Sequence, residues 1–239
     1  MKQSLIFFVF LCLLNSCNSE FKPASFKTTS VDTAYEAEIS ATYDNAVGND
    51  ELSETINFNI EKGIITTLSD AAKKTNLDSV LSDFNSEYVK FKSEFPDEAD
   101  SVWELHIETE KIYQSEAIIT IAINTYEFKG GAHGNDKIKF LNLDAKTGNV
   151  LGRSDIIKNI DAFKKLAKSH FLKSLNNKDD ALNTEALFFG KPFQLPENIG
   201  FSDDGLVLLY NVYEIASYDQ GYTEFVIPFS EAESHLLVH

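Results

Sequence analysis

The sequence predicts an α+β fold: a mainly antiparallel sheet with helices packed on one side, in two small subdomains. Three observations carry that expectation. Several stretches alternate apolar and polar residues with the period of two of a half-buried strand, others repeat apolar residues every three to four positions as a helix does, and the strands are interleaved with segregated helices. Of 239 residues, 43% are hydrophobic, and 19 Phe and 9 Tyr against one Trp and one Met suggest a β-rich core. No internal repeat at solenoid periods and no low-complexity tract is found.

The first element is a short apolar run, Leu5 to Leu14, that follows Lys2 and ends in Leu14-Asn15-Ser16-Cys17. It is too short for a stable membrane span. A basic start, an apolar middle, then a small residue and a thiol have the form of a bacterial lipoprotein signal, so residues 1–17 read as a signal peptide and Cys17 as the lipidation site. One acyl chain binds a bilayer only marginally, and lipoprotein modification supplies more than one. Asn18 lacks the aspartate that commonly retains lipoproteins at the inner membrane, so the expected location is the cell envelope, anchored at the outer membrane. Residues 18–34 carry Pro23 and several Ser and Thr without an apolar period, and read as a flexible tether.

Tyr35, Ala37, Ile39, Ala41 and Tyr43 alternate with polar residues and open an N-terminal α+β domain over residues 35–128. Leu52, Ile56, Ile60, Ile64 and Leu68 predict a helix that tolerates Gly63 at a cost of about 1 kcal/mol. Leu77, Val80, Leu81, Phe84, Tyr88, Phe91 and Phe95 predict a second, ended by Pro96, whose aromatic stripe is core. Trp103, Leu105 and Ile107 then return to the strand period, and a partner strand from Ala117 to Phe128 makes an antiparallel pair.

The C-terminal α+β domain, residues 129–239, starts with the loop Gly130-Gly131-Ala132-His133-Gly134. A strand over 137–143 follows, and Asp144-Ala145-Lys146-Thr147-Gly148 turns the chain. Asp161 is placed to cap a helix carrying Phe163, Leu166, Ala167, His170 and Phe171, which breaks at Asn176-Asn177-Lys178-Asp179-Asp180. Strands at 206–215 and 222–227 are expected to close the sheet around the Ala216 to Gly221 loop. Ser230-Glu231-Ala232-Glu233 has the form of a capping box for a short terminal helix.

Composition narrows the function. Cys12 and Cys17 are the two cysteines, so departure of the signal with Cys17 lipidated leaves no pair for a disulfide and no cysteine zinc site. The net charge is -16, and loss of Lys2 from the 21 basic residues makes the processed chain more negative still. A phosphate backbone needs clustered Lys and Arg, so no nucleic-acid partner is expected. Acidity keeps an envelope protein soluble, or steers a basic partner.

His133 invites a catalytic reading, but three glycines around it imply a sharp turn in which the imidazole orders the loop. His106, His170, His235 and His239 show no ligand spacing to one another, and no H-E-x-x-H, G-x-S-x-G or G-x-x-x-x-G-K motif occurs. The run Gly148 to Ser154 has the wrong spacing for a phosphate loop, and Asn142, Asp144 and Gly148 miss the calcium-loop register. With 37 acidic residues, no pair of carboxylates is singled out. No catalytic residue, metal or cofactor is assigned.

The Gly130 to Gly134 loop, Asn142-Leu143-Asp144 with Thr147-Gly148, and Tyr213-Glu214-Ile215-Ala216 followed by Gly221, Thr223-Glu224-Phe225 and Ile227-Pro228 together resemble a known family pairing. It consists of two extracytoplasmic domains of unknown function, found in RsiV-type lysozyme-sensing anti-sigma factors and in PdaC-type peptidoglycan deacetylases. The resemblance spans roughly Tyr35 to Leu237. Ser217 stands where the family often has proline, which implies a looser loop into Tyr218. The sigma-binding segment and the deacetylase catalytic domain are not expected here, so the resemblance implies sensing or binding without deacetylation.

The reading that follows is a lipid-anchored, non-enzymatic envelope module that recognises a protein, a basic lysozyme-like one being a candidate, or a peptidoglycan-related ligand. Gly130, Gly131, His133, Gly134, Tyr218 and Tyr222 are the candidate ligand-binding residues, tyrosine giving contact area at low entropic cost. A cell-wall glycan hydrolase and an envelope scaffold protein are the alternatives.

Overall fold

A computed structural model describes residues 22–68, 76–96, 101–176 and 187–238. The signal sequence with Cys17, the helix break over 177–180 and His239 lie outside the described residues. Two sheets carry the α+β fold. The larger has five strands, β1 (Phe26–Ser30), β2 (Glu38–Ala46), β3 (Glu104–Gln114), β4 (Ile118–Phe128) and β5 (Asn135–Asp144), in that spatial order. Three of its pairings are antiparallel, and β2 with β3 is parallel because two helices cross over between them.

Those helices are α1 (Glu51–Ile65) and α2 (Leu77–Glu94). Asp50 and Ser53 form a reciprocal capping box at the start of α1, and Asn76 accepts from the Ser79 N–H at the start of α2. Ile56, Ile60 and Ile64 are almost fully buried on one sheet face. Gly63 earns its place by proximity, since a Cβ there would lie 2.7 Å from Ile123 Cδ1 on β4. The aromatic stripe of α2 is core as far as Phe91, with Phe84, Tyr88 and Phe91 each placing a ring within 5.3–5.8 Å of Trp103, while Phe95, expected on the same stripe, caps the helix and is exposed.

Part of the tether is structured. Phe26–Ser30 pairs along the outer edge of β2, and Phe26 packs on the core. The strand escapes the hydrophobic pattern because its other residues are polar and its stability comes from the ladder. The boundary set at 128/129 also falls inside a hairpin, since β4 and β5 pair continuously from Glu127–Asn135 to Ile118–Asp144.

The second unit holds α3 (Arg153–Ile156), α4 (Ile160–Asn176), the hairpin strands β6 (Asn198–Ser202), β7 (Gly205–Tyr210) and β8 (Thr223–Ile227), and α5 (Phe229–Ala232). The cap of α4 is Asn159, which accepts from the Ala162 N–H at 2.9 Å; Asp161 already lies in the first turn. The Ser230 to Glu233 box does not form either, because Pro228, with its fixed φ, takes the N-cap position. The strand expected to reach residue 215 stops at Tyr210.

β6, β7 and β8 do not close the first sheet; they form their own. Its junction with β5 is made by asparagine side chains. Asn198 accepts from Phe140 N–H and donates to Ile138 C=O, while Asn211 accepts from Ile138 N–H and donates to the same carbonyl, all at 2.8–3.0 Å. Carboxamides thus occupy the edge where a sixth strand would pair. Beneath them the buried Asn142 bridges Thr120 and the Ile199 carbonyl, and Gly200 backs onto the Phe140 ring.

Candidate functional site

The β4–β5 hairpin projects residues 129–134 beside the segment that leaves β7. Gly130 and Gly131 adopt φ of 89° and 99° with open space where a Cβ would stand, so conformation alone demands glycine there. Gly134 serves differently from the expected turn role: its φ is not positive, and a Cβ would come within 2.3 Å of the Tyr126 ring. The loop lies flat on Tyr126. That contact aims His133 outward, with Nδ1 3.0 Å from the Gly134 carbonyl oxygen, the loop-ordering bond expected of it.

Eighty residues later the chain presents Tyr213 at φ 65°. A residue with a Cβ pays for that conformation. Glu214 compensates, accepting from the Asn211 and Glu197 N–H groups at 2.8 Å each. Burial pushes the Glu214 carboxyl above its ordinary range, against the lowering effect of those two bonds and of Arg153. The strained turn places the Tyr213 hydroxyl 3.3 Å from His133 Nε2 and leaves the residue 53% exposed.

Tyr218 completes the cluster. Its ring stacks on His133 with centroids 4.1 Å apart and an interplanar angle of 13°, and lies 5.6 Å from Tyr213. The turn that carries it is closed by Gly221 N–H to Tyr218 C=O and by the Ser217 hydroxyl donating to Asp219, so Ser217 anchors the turn into Tyr218 rather than loosening it. The Ser217 bond holds the Asp219 carboxyl below its ordinary range. Tyr222 sits deeper than expected. It is half-buried, and its hydroxyl is shut off from solvent beside Asp136 with no partner in hydrogen-bonding geometry among the described residues. Burial first and the Asp136 charge second raise its pKa well above the usual value.

Gly130, Gly131, His133 and Tyr218 therefore meet on one surface, with Gly134 buried against Tyr126 and Tyr222 beneath the rim. Tyr213, Glu214 and Tyr126 were missed as site residues. Tyr213 and Glu214 stand in the resemblance motif, yet no residue-type rule announces a tyrosine at positive φ, and the apposition of Tyr126 depends on sheet register. No group of three or more His, Cys, Asp or Glu side chains able to hold a metal is found among the described residues. Nor is any described helix long and apolar enough to cross a membrane.

Fold and site together define a two-unit α+β protein whose exposed histidine–tyrosine surface is assembled from one loop of each unit. Two family models match this chain: "Deacetylase PdaC" over residues 29–136 and "Protein of unknown function (DUF3298)" over residues 153–230. This is the domain pairing that the motifs resemble. Among solved structures, a member of the DUF3298 family from Bacteroides fragilis is similar, with a TM-score of 0.70 and 18% identity over 90% of this chain and 95% of the other. A DUF3298 family protein from Pseudomonas aeruginosa PAO1 gives 0.64 and 20%, with the same coverage. Those likenesses establish the shared fold. Among curated proteins, none matches the chain.

Proposed function

We propose that this chain is a lipid-anchored binding module of the bacterial cell envelope, recognising a protein or a peptidoglycan-related ligand without chemical turnover. One observation carries the reading: a backbone held at positive φ keeps Tyr213 exposed and in contact with His133 and Tyr218. Strain maintained to display an aromatic ring suits a recognition surface, and exposed tyrosines with an adaptable glycine loop suit contact with a partner. The envelope address is supported by the Lys2 to Cys17 pattern and by the resemblance to extracytoplasmic domains. The acidic charge nominates a basic lysozyme-like protein as a ligand, which opposite fields would steer.

Pull-down of lysozyme and of purified peptidoglycan at low salt tests the binding. Retention of either, reduced by Tyr218→Ala, is expected; retention of neither overturns the reading. For the anchor, labelled palmitate is expected in the wild type and absent from Cys17→Ala. Hydrolysis of wall glycan is the rival reading; it does not rest on the matched deacetylase name, since deacetylation cleaves an acetamide and leaves the glycan strand intact. Turnover of a muropeptide panel that His133→Ala abolishes would favour that rival over binding.

A further inference from the structure

The open face of the five-stranded sheet, opposite α1 and α2, carries a second feature. Register sets Ser40, His106, Tyr126 and Asp136 side by side across β2, β3, β4 and β5, with Thr42, Glu108 and Asn124 in the next row. Ser40, Thr42, His106, Glu108, Asn124 and Tyr126 line a groove of about 300 Å³. Its imidazole is fixed on three sides: His106 Nδ1 is 2.8 Å from Ser40 Oγ, Nε2 is 3.5 Å from Glu104, and the ring stacks on Tyr126 at 5.7 Å and 15°. Glu108 and Asn124 are exposed, and their side chains make no hydrogen bond or ion pair among the described residues.

The lining selects its ligand class. Hydroxyls, a carboxamide, a carboxylate and aromatic faces offer paired donors and acceptors to a polyol and a flat wall to a sugar ring. Glu104 and Glu108 disfavour an anionic ligand and favour a cationic one. β2, β3 and β4 are each paired on both edges, so no backbone is left here for an added peptide strand. Across these three strands the groove spans roughly 10 Å, enough for two pyranose rings.

We infer that this groove binds a glycan strand bearing free amino groups, with Glu108 meeting an ammonium, Thr42 and Asn124 reading hydroxyls, and Tyr126 beside His106 forming the wall. It lies on the sheet face and shares only Tyr126 with the loop surface, and it stands whether or not that surface binds a partner. The tyrosine hydroxyl is available as a donor, since desolvation and the nearby Glu104 charge raise its pKa.

Calorimetric titration of the full-length chain with β-1,4-linked glucosamine tetramer and with cellotetraose tests the assignment. The amine-bearing tetramer is expected to bind more tightly than its hydroxyl counterpart. Asn124→Ala and Glu108→Gln, both at exposed positions and checked for unchanged melting, should each weaken it about fivefold. Tyr218→Ala should leave it unchanged. Failure of both tetramers to bind at millimolar concentration overturns the inference. So does cellotetraose binding as tightly as the amine-bearing tetramer, groove variants binding like wild type, or loss confined to Tyr218→Ala, which would place the sugar on the loops.

Discussion

Tyr213 accepts a backbone conformation that glycine adopts freely, so the cost of display and the function of display are carried by one side chain. Tyr213→Gly relieves that cost but surrenders chain entropy and two ring contacts. Its unfolding free energy in urea is therefore expected to stay within about 1 kcal/mol of wild type, while ligand retention on the loops falls. Gly134→Ala has no such compensation. The added methyl meets the Tyr126 ring, and a loss of about 1–3 kcal/mol is expected, measured by the same denaturation. Glu214 gives a pH signature. Its carboxyl is raised in the fold relative to the unfolded chain, so the native state binds the proton better and stability falls as pH rises between the two values. Replacing it with Gln should remove that downward slope above about pH 4.5, read from melting curves across pH. Asp144 behaves oppositely: partial burial raises its pKa, but hydrogen bonds from Thr147 and Lys146 outweigh this and hold it low. Its stabilisation is lost as pH drops through the lowered value. At this scale the sequence marks Gly130, Gly131 and the loop-ordering His133, because turn chemistry is local; it misreads Gly134, whose need for glycine comes from contact with Tyr126 across the sheet, and misses Tyr213, whose φ no residue-type rule announces.

Elements were legible wherever burial wrote a period into the chain. β2, α1, α2, the β3–β4 pair and α4 all follow their apolar stripes. The failures share a feature: none was decided by burial. β1 is a polar edge strand held by its ladder, α4 is capped by an Asn159 hydrogen bond instead of by Asp161, and α5 starts from Pro228, whose ring fixes φ, instead of from Ser230. The edge of β5 is the clearest example, since nothing in a sequence distinguishes Asn198 and Asn211 from loop asparagines. Asn198→Ala strands the Phe140 N–H, with an expected loss of about 1–3 kcal/mol in chemical denaturation. An effect below about 0.5 kcal/mol would mean that the carboxamide junction is not what joins the two sheets.

For the molecule as a whole, the topology explains why the site lies where it does. Separate sheets meet along β5, and the hairpin loop before β5 and the turn after β7 emerge at the same end of that junction. A sequence can name both loops, as it did through their glycines and tyrosines, but only the docking of one unit on the other brings His133 and Tyr218 to 4.1 Å. The central claim is that these loops act as one contact surface. Titrating a basic lysozyme-like protein and muropeptide fragments separately into isotope-labelled chain, with backbone amide shifts as the readout, tests it most directly. The account predicts saturable shifts with one of them, concentrated in residues 130–134 and 213–222 and abolished by Tyr218→Ala. Absence of shifts with both, or saturable shifts elsewhere that Tyr218→Ala leaves intact, would contradict it.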